Sequence, residues 1–140
     1  MKVFLDTNVL LDVLMESREH HVDSATILRV AEKGVVQAVL SAQSIIDAAY
    51  VFSQKEELPI GRFKNAIKLI LGIITVTSIS ENSIKIAIRS DIADFEDAAQ
   101  IGCAGEAECD VIISSDKKWK QYTDIPIYTP KEFCEFIFEE

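Results

Sequence analysis

The sequence predicts an α/β fold in which a parallel sheet carries helices on both faces. Short runs rich in β-branched residues alternate along the chain with stretches of helical apolar spacing. Apolar residues make up 49% of the 140 positions, enough to bury a sheet on both sides. No internal repeat or linker interrupts the pattern, which places residues 1–140 in a single domain around one core.

Taken in order, residues 2–5 form a β-branched and aromatic run ending at Asp6, and read as a buried strand. Val9, Leu10, Val13 and Leu14 then fall at helical spacing over 8–15. A second helix is expected over 22–33, with Ile27, Leu28 and Ala31 as its stripe, Ala25 and Val30 widening it, and Gly34 as a stop. Residues 35–40 form a strand, and Ser41 caps a helix running to about Lys55. The next helix covers 60–71 and ends at Gly72, before a strand at 73–76. Ser80 starts a helix towards Arg89, and Asp94 caps another from Phe95 to about Ala104. Val111-Ile112-Ile113 centre a buried strand over 110–114, and 125–128 form a short edge strand. Thr129-Pro130-Lys131-Glu132 supplies an N-cap, a proline at the first helical position and a glutamate at the third, so a helix follows to the C-terminus.

Composition limits the function. The formal net charge of −9 argues against tight, non-specific binding of long nucleic acid and leaves room for a basic protein partner. The three cysteines, Cys103, Cys109 and Cys134, form no C-x-x-C pair for zinc or redox chemistry. They read as buried or idle thiols in a reducing compartment. The opening apolar run is too short for a signal peptide. The apolar stretch 67–76 is broken by Lys68, Gly72 and Thr75 and cannot span a bilayer. A soluble, cytoplasmic protein with no membrane partner is expected. No G-x-G-x-x-G or P-loop pattern supports a dinucleotide or nucleoside triphosphate site.

Ligands of open parallel sheets bind beyond the carboxyl ends of the strands. Asp6-Thr7-Asn8 follow the first strand; Ser41 follows the second, with Asp47 about two turns on; Ser114-Ser115-Asp116 follow the strand centred on Ile112. Asp97 lies in the first turn after Asp94. Carboxylates gathered at one edge repel one another unless cations hold them, and an oxygen-only set without His or Cys suits Mg²⁺ or Mn²⁺. Metal-dependent phosphodiester hydrolysis fits such a set. Each member also has a plainer reading. Asp6 and Asp94 suit helix caps, Asp97 pairs with Asp94 as a capping-box-like partner, and Glu96 answers the helix dipole. Asp116 suits the cap of a turn containing Trp119. Asp47 sits in an otherwise apolar helix and needs either solvent or a partner. His20-His21 read as a solvated helix start. Lys117, Lys118 and Lys120 around Trp119 form a basic patch for an RNA backbone, or a solvated turn anchored by a buried indole.

The chain resembles the PIN-domain family, and within it VapC-type toxins. The resemblance rests on Val3-Phe4-Leu5-Asp6-Thr7-Asn8-Val9-Leu10-Leu11-Asp12, the helix containing Asp47, and Asp94-Phe95-Glu96-Asp97-Ala98. It continues through the stretch from Asp110 to Asp116 and the closing Ile127-Tyr128-Thr129-Pro130-Lys131-Glu132-Phe133. It implies a three-layer α/β/α fold with a central parallel sheet and an acidic pocket for one or two Mg²⁺ or Mn²⁺. It also implies endoribonuclease activity on RNA. The catalytic acids would be Asp6, Asp47, Asp97 and Asp116, with Asp6, Asp97 and Asp116 on the metal and Thr7, Asn8 and Ser114 in support. Lys117 and Lys118 would touch substrate. Such toxins pair with a small antitoxin and form homodimers. Two departures stand out: Asp47 is one methylene shorter than the family's frequent Glu, and Lys118 stands before Trp119 where relatives often carry an Asp. A non-catalytic PIN-like module binding RNA or protein is the alternative. A haloacid-dehalogenase-type phosphatase needs a second Asp where this chain has Asn8.

Overall fold

A computed structural model describes residues 1–139. Its strands, β1 (Lys2–Leu5), β2 (Gln37–Ser41), β3 (Thr75–Thr77), β4 (Val111–Ile113) and β5 (Ile127–Tyr128), form one sheet in the order β3-β2-β1-β4-β5. Every pairing is parallel. The helices are α1 (Thr7–Leu14), α2 (His21–Glu32), α3 (Ala42–Tyr50), α4 (Ile60–Ile70), α5 (Glu81–Arg89), α6 (Phe95–Glu106) and α7 (Pro130–Phe138).

The period-two alternation of the strands builds the three layers. Val3 and Leu5 share a face with Ala38, Leu40, Val111 and Ile113, and meet Val9 and Leu10 of α1, Ile27 of α2 and Phe133 of α7. Phe4, Val39, Ile112 and Ile127 point the other way, onto Ile101 and Ala104 of α6 and the indole of Trp119. β1 is central, and its register sets Val3 between Ala38 and Val111 and Phe4 between Val39 and Ile112. Phe4 and Leu40 are fully buried, and each stabilises the fold by about 1.5–3 kcal/mol relative to exposure.

The expected caps are present. Ser41 Oγ accepts from the Ser44 N–H at 3.0 Å, and Asp94 Oδ1 accepts from the Asp97 N–H at 2.9 Å. At α7 the Thr129 hydroxyl accepts from the Glu132 N–H while the Glu132 carboxylate accepts from the Thr129 N–H, a reciprocal capping box. Boundaries differ more. Gly34, with φ of +80°, turns the chain so that the Val35 N–H bonds back to Val30 O at 3.0 Å, and β2 starts only at Gln37. The helix from Ser41 does not run regularly to Lys55: after Tyr50 the residues Val51–Lys55 widen into a π-helical turn, from which Phe52 packs on Phe63 with ring centroids 5.6 Å apart. The edge strand expected at 125–128 narrows to Ile127–Tyr128.

The histidine pair is not simply solvated. His21 opens α2 and its Nδ1–H donates to Asp12 O at 2.7 Å. Burial raises the pKa of all three thiols, Cys109 and Cys134 to about 11. No helix among the described residues is long and apolar enough to cross a membrane.

Candidate metal centre and active site

The carboxyl ends of β1, β2 and β4 meet at one edge, and the sheet itself brings Asp6 there. The Asp6 N–H donates to Ile113 O at 3.0 Å, carrying the β1–β4 ladder one residue past the strand. The side chain is only 8% exposed. Its Oδ1 accepts from the Thr7 N–H at 2.7 Å, so Asp6 does cap α1, and its Oδ2 accepts from the Ser114 hydroxyl at 2.8 Å. Ser114 Oγ in turn accepts from the Asp116 N–H at 3.0 Å, tying the segment after β4 to Asp6. Asp116 caps a 3₁₀ turn over Lys117–Gln121 that seats Trp119 in the core. For Asp6 and Asp116 the cap and the site are therefore the same residue.

Asp6, Asp47, Glu96, Asp97 and Asp116 line one cleft of about 370 Å³, together with Thr7 and Asn8. Asp47 Oδ1 accepts from Gln43 Nε2 at 2.9 Å, whereas its Oδ2 is buried without a partner. Asp6 has its pKa raised to about 6, chiefly by burial; the Ser114 and Thr7 hydrogen bonds oppose this, and the charges of Asp97 and Asp116 add to it. The Asp97 carboxyl is also raised, first by burial and then by Asp94 and Asp116; the Trp119 indole and Lys118 pull it back. The indole acts there from outside hydrogen-bonding geometry, since its buried nitrogen has no partner. Glu96 is raised by burial and by the charge of the nearby Asp47, although no hydrogen bond to the Asp47 Oδ2 joins the two carboxylates.

Beneath the cleft, the Thr7 and Ser44 hydroxyls share a bond of 2.7 Å, and Ser44 Oγ accepts from Ser41 Oγ (3.1 Å) and from Gln100 Nε2 (3.2 Å). This network joins the starts of α1 and α3 to α6. The supporting trio is thus split. Ser114 reaches a carboxylate through its hydroxyl and Thr7 only through its backbone, while Asn8 binds Arg18 at 3.2 Å. Of the lysines, Lys118 lowers the pKa of Asp97 through its charge, whereas the charges of Lys120 and Lys117 act on Glu132 at the start of α7.

Sequence reasoning set Glu96 aside, because a first-turn acid is explained by the helix dipole, and it passed over Gln100 and Ser44. It also left Asp12 without a role. That carboxylate is buried at 3% exposure, bonded to Arg18 Nε at 2.8 Å and Ser24 Oγ at 3.0 Å. The signal was available: Asp12 falls on the apolar stripe of α1 with Val9 and Val13, where a charge needs a partner.

Among the described residues, no three His, Cys, Asp or Glu side chains stand close enough to hold an ion as they are. The acids ring the cleft instead of converging on a point, as expected of like charges. The donor chemistry nonetheless fits a hard divalent cation. It is all oxygen, it includes an unpartnered buried carboxylate oxygen on Asp47, and burial together with mutual repulsion raises the pKa of Asp6, Glu96 and Asp97, a cost that a bound cation would offset.

A family profile described as PIN domain matches residues 2–118. Ribonuclease VapC1 of Aquifex aeolicus (strain VF5) is 28% identical over 139 residues, covering 96% of this chain and 94% of that protein. Among solved structures, VapBC2 from Rickettsia felis, bound to a DNA fragment from its promoter, superposes with a TM-score of 0.72. The identity is 12%, and the match covers 92% of this chain and 98% of that one. A toxin–antitoxin complex from Klebsiella pneumoniae gives a TM-score of 0.63 at 17% identity, covering 91% and 97%. With the profile spanning most of its length and the acidic cleft in place, the chain belongs to the PIN-domain family.

Proposed function

We propose that the protein is a Mg²⁺- or Mn²⁺-dependent endoribonuclease, the toxin of a toxin–antitoxin pair. The observation that carries this reading is the set of five carboxylates around one cleft, with the Asp47 oxygen buried and unpartnered. The likeness to Ribonuclease VapC1 supports RNA as substrate, and the Klebsiella pneumoniae complex supports an antitoxin partner.

In this reading Asp6, Asp97 and Asp116 hold the ion, and Asp47 and Glu96 complete the ring. When bound, the ion supplies Lewis acidity towards a phosphoryl oxygen and acidifies a water. Ser114 fixes Asp6 by donating to its Oδ2, so the buried carboxylate keeps one orientation. Asp47 Oδ2 is the free acceptor that orients the attacking water and takes its proton. Lys118, whose charge reaches Asp97, provides the positive charge for a substrate phosphate, with Lys117 beside it in the chain as a weaker contributor. An antitoxin with a basic segment entering the cleft, homodimerisation and a cytoplasmic location complete the proposal.

Cleavage of total RNA with Mn²⁺ tests it. Asp6→Asn and excess EDTA should each abolish cleavage while the far-ultraviolet circular dichroism spectrum is kept. Full activity in either condition sinks the metal mechanism. The second reading, a non-catalytic binding module, draws on the absence of a pre-gathered metal cluster among the described residues. It requires that wild-type protein leave RNA intact at saturating Mn²⁺.

A further inference from the structure

Asn8 lines the cleft on the α1 side, and its Oδ1 accepts from Arg18 Nη2 at 3.2 Å. Arg18 is held in turn, its Nε donating to the buried Asp12 at 2.8 Å, and Ser24 closes the far side of that carboxylate at 3.0 Å. A guanidinium has donors and no acceptor, so only the oxygen of Asn8 can face it. Chemistry therefore fixes which way the amide points. Its N–H groups lie on the side away from Arg18, and Asn8 belongs to the cleft lining whereas Arg18 does not.

Building on the hydrolase reading, we propose that Asn8 presents an amide N–H to a non-bridging phosphate oxygen of the RNA, and that Arg18 is the positioning residue that holds it so. A cleft ringed by carboxylates repels a phosphate. A neutral donor attracts the phosphate oxygen without competing for the cation, whereas a carbonyl turned the same way would become another ligand. The chain Ser24–Asp12–Arg18–Asn8 thus sets a hydrogen-bond polarity at the rim, from a buried anion outwards.

Four variants test this: Asn8→Ala, Asn8→Asp, Arg18→Met and, as the reference for catalysis, Asp6→Asn. Cleavage of a fluorescein-labelled single-stranded oligoribonucleotide gives KM and kcat, and calorimetry gives the Mn²⁺ affinity of each protein without RNA. Asn8→Asp keeps an acceptor for Arg18 but replaces the donors with a negative charge, so Asn8→Ala is the variant that isolates the loss of the donors. Both Asn8 variants should raise KM about tenfold or more, with Mn²⁺ affinity within a factor of two for Asn8→Ala and not weakened for Asn8→Asp. Arg18→Met should raise KM severalfold, again with Mn²⁺ affinity unchanged.

Wild-type KM in Asn8→Ala overturns the proposal, because a loss seen only in Asn8→Asp would be charge repulsion alone. Weakened Mn²⁺ binding in Asn8→Ala also overturns it, by placing the side-chain oxygen on the ion. An unaltered KM in Arg18→Met removes the positioning role. If Arg18→Met fails to fold, since Asp12 is left unpaired, Arg18→Lys serves: one ammonium cannot span Asp12 and Asn8 as the guanidinium does, so KM should again rise. Cleavage by Asp6→Asn at the wild-type rate is a different outcome, refuting the underlying hydrolase reading and the proposal with it.

Discussion

At Asp6 the sheet edge and the cleft make opposite demands on one carboxyl group. Accepting from Thr7 and Ser114 favours the ionised form, while burial and the charges of Asp97 and Asp116 favour the protonated one. Burial wins, and the pKa moves from 3.8 to about 6. A carboxyl that binds its proton more tightly folded than unfolded contributes stability at pH below its unfolded value, and loses that contribution as pH rises through the folded one. Without divalent ions the charged Asp6 therefore costs the fold roughly 1–3 kcal/mol above pH 6. Asp6→Asn should accordingly melt several degrees above wild type in EDTA at pH 7.5, with the gap closing as pH falls from 6 to 4. An unchanged or lower melting temperature at pH 7.5 would show that the burial penalty is not there. Glu96→Gln tests the residue that the sequence pattern hid. Loss of one ligand charge should weaken Mn²⁺ about tenfold by calorimetry, about 1.4 kcal/mol, and an unchanged affinity would leave Glu96 outside the ring. Asp6, Asp97 and Asp116 were legible because strand ends and helix starts announce themselves in sequence. Glu96 and the approach of its charge to Asp47 were not, since they depend on how α3 and α6 lie at the sheet edge.

Elements were easier to recognise than to bound. The Thr129 capping box was fully readable, because each of its parts is local: an N-cap hydroxyl, a proline and a glutamate three residues on. Thr129→Ala should cost about 1 kcal/mol in urea unfolding and leave RNA cleavage unchanged, as α7 starts away from the cleft; a fall in kcat would link α7 to the site. The π-helical turn at Val51–Lys55 was not readable. Its apolar spacing passes for α-helix, and only the tertiary contact of Phe52 with Phe63 gives a reason for the extra residue. The start of β2 shifted for the opposite reason, a local one, since the left-handed Gly34 uses up Val35 in closing α2. Strand-like composition at Val35 did not outweigh that turn.

For the molecule as a whole, the alternation of strands and helices announced a parallel three-layer fold, but the order β3-β2-β1-β4-β5 depends on long-range pairing that no local window contains. The acidic balance becomes intelligible at this scale too, since part of the charge of −9 rings a cleft that a cation would neutralise. An ion that binds only the folded state should stabilise it by about 2.7 kcal/mol at a hundred times its dissociation constant. That corresponds to a rise in melting temperature of roughly 8 °C with Mn²⁺, and no rise in Asp6→Asn. An equal rise in both proteins would place the ion elsewhere. Finally, the central position of β1 has a consequence in time. Asp6 acquires its hydroxyl partner from Ser114, 108 residues later, and β1 gains its second neighbour only when β4 is made. A chain emerging from a ribosome therefore holds its first acid from the outset but no assembled cleft until most of it has been synthesised. Prematurely terminated products ending before β4 would carry Asp6, Asp47 and Asp97 and still be inert, so an RNA-cleaving activity would appear only once its own translation is nearly complete.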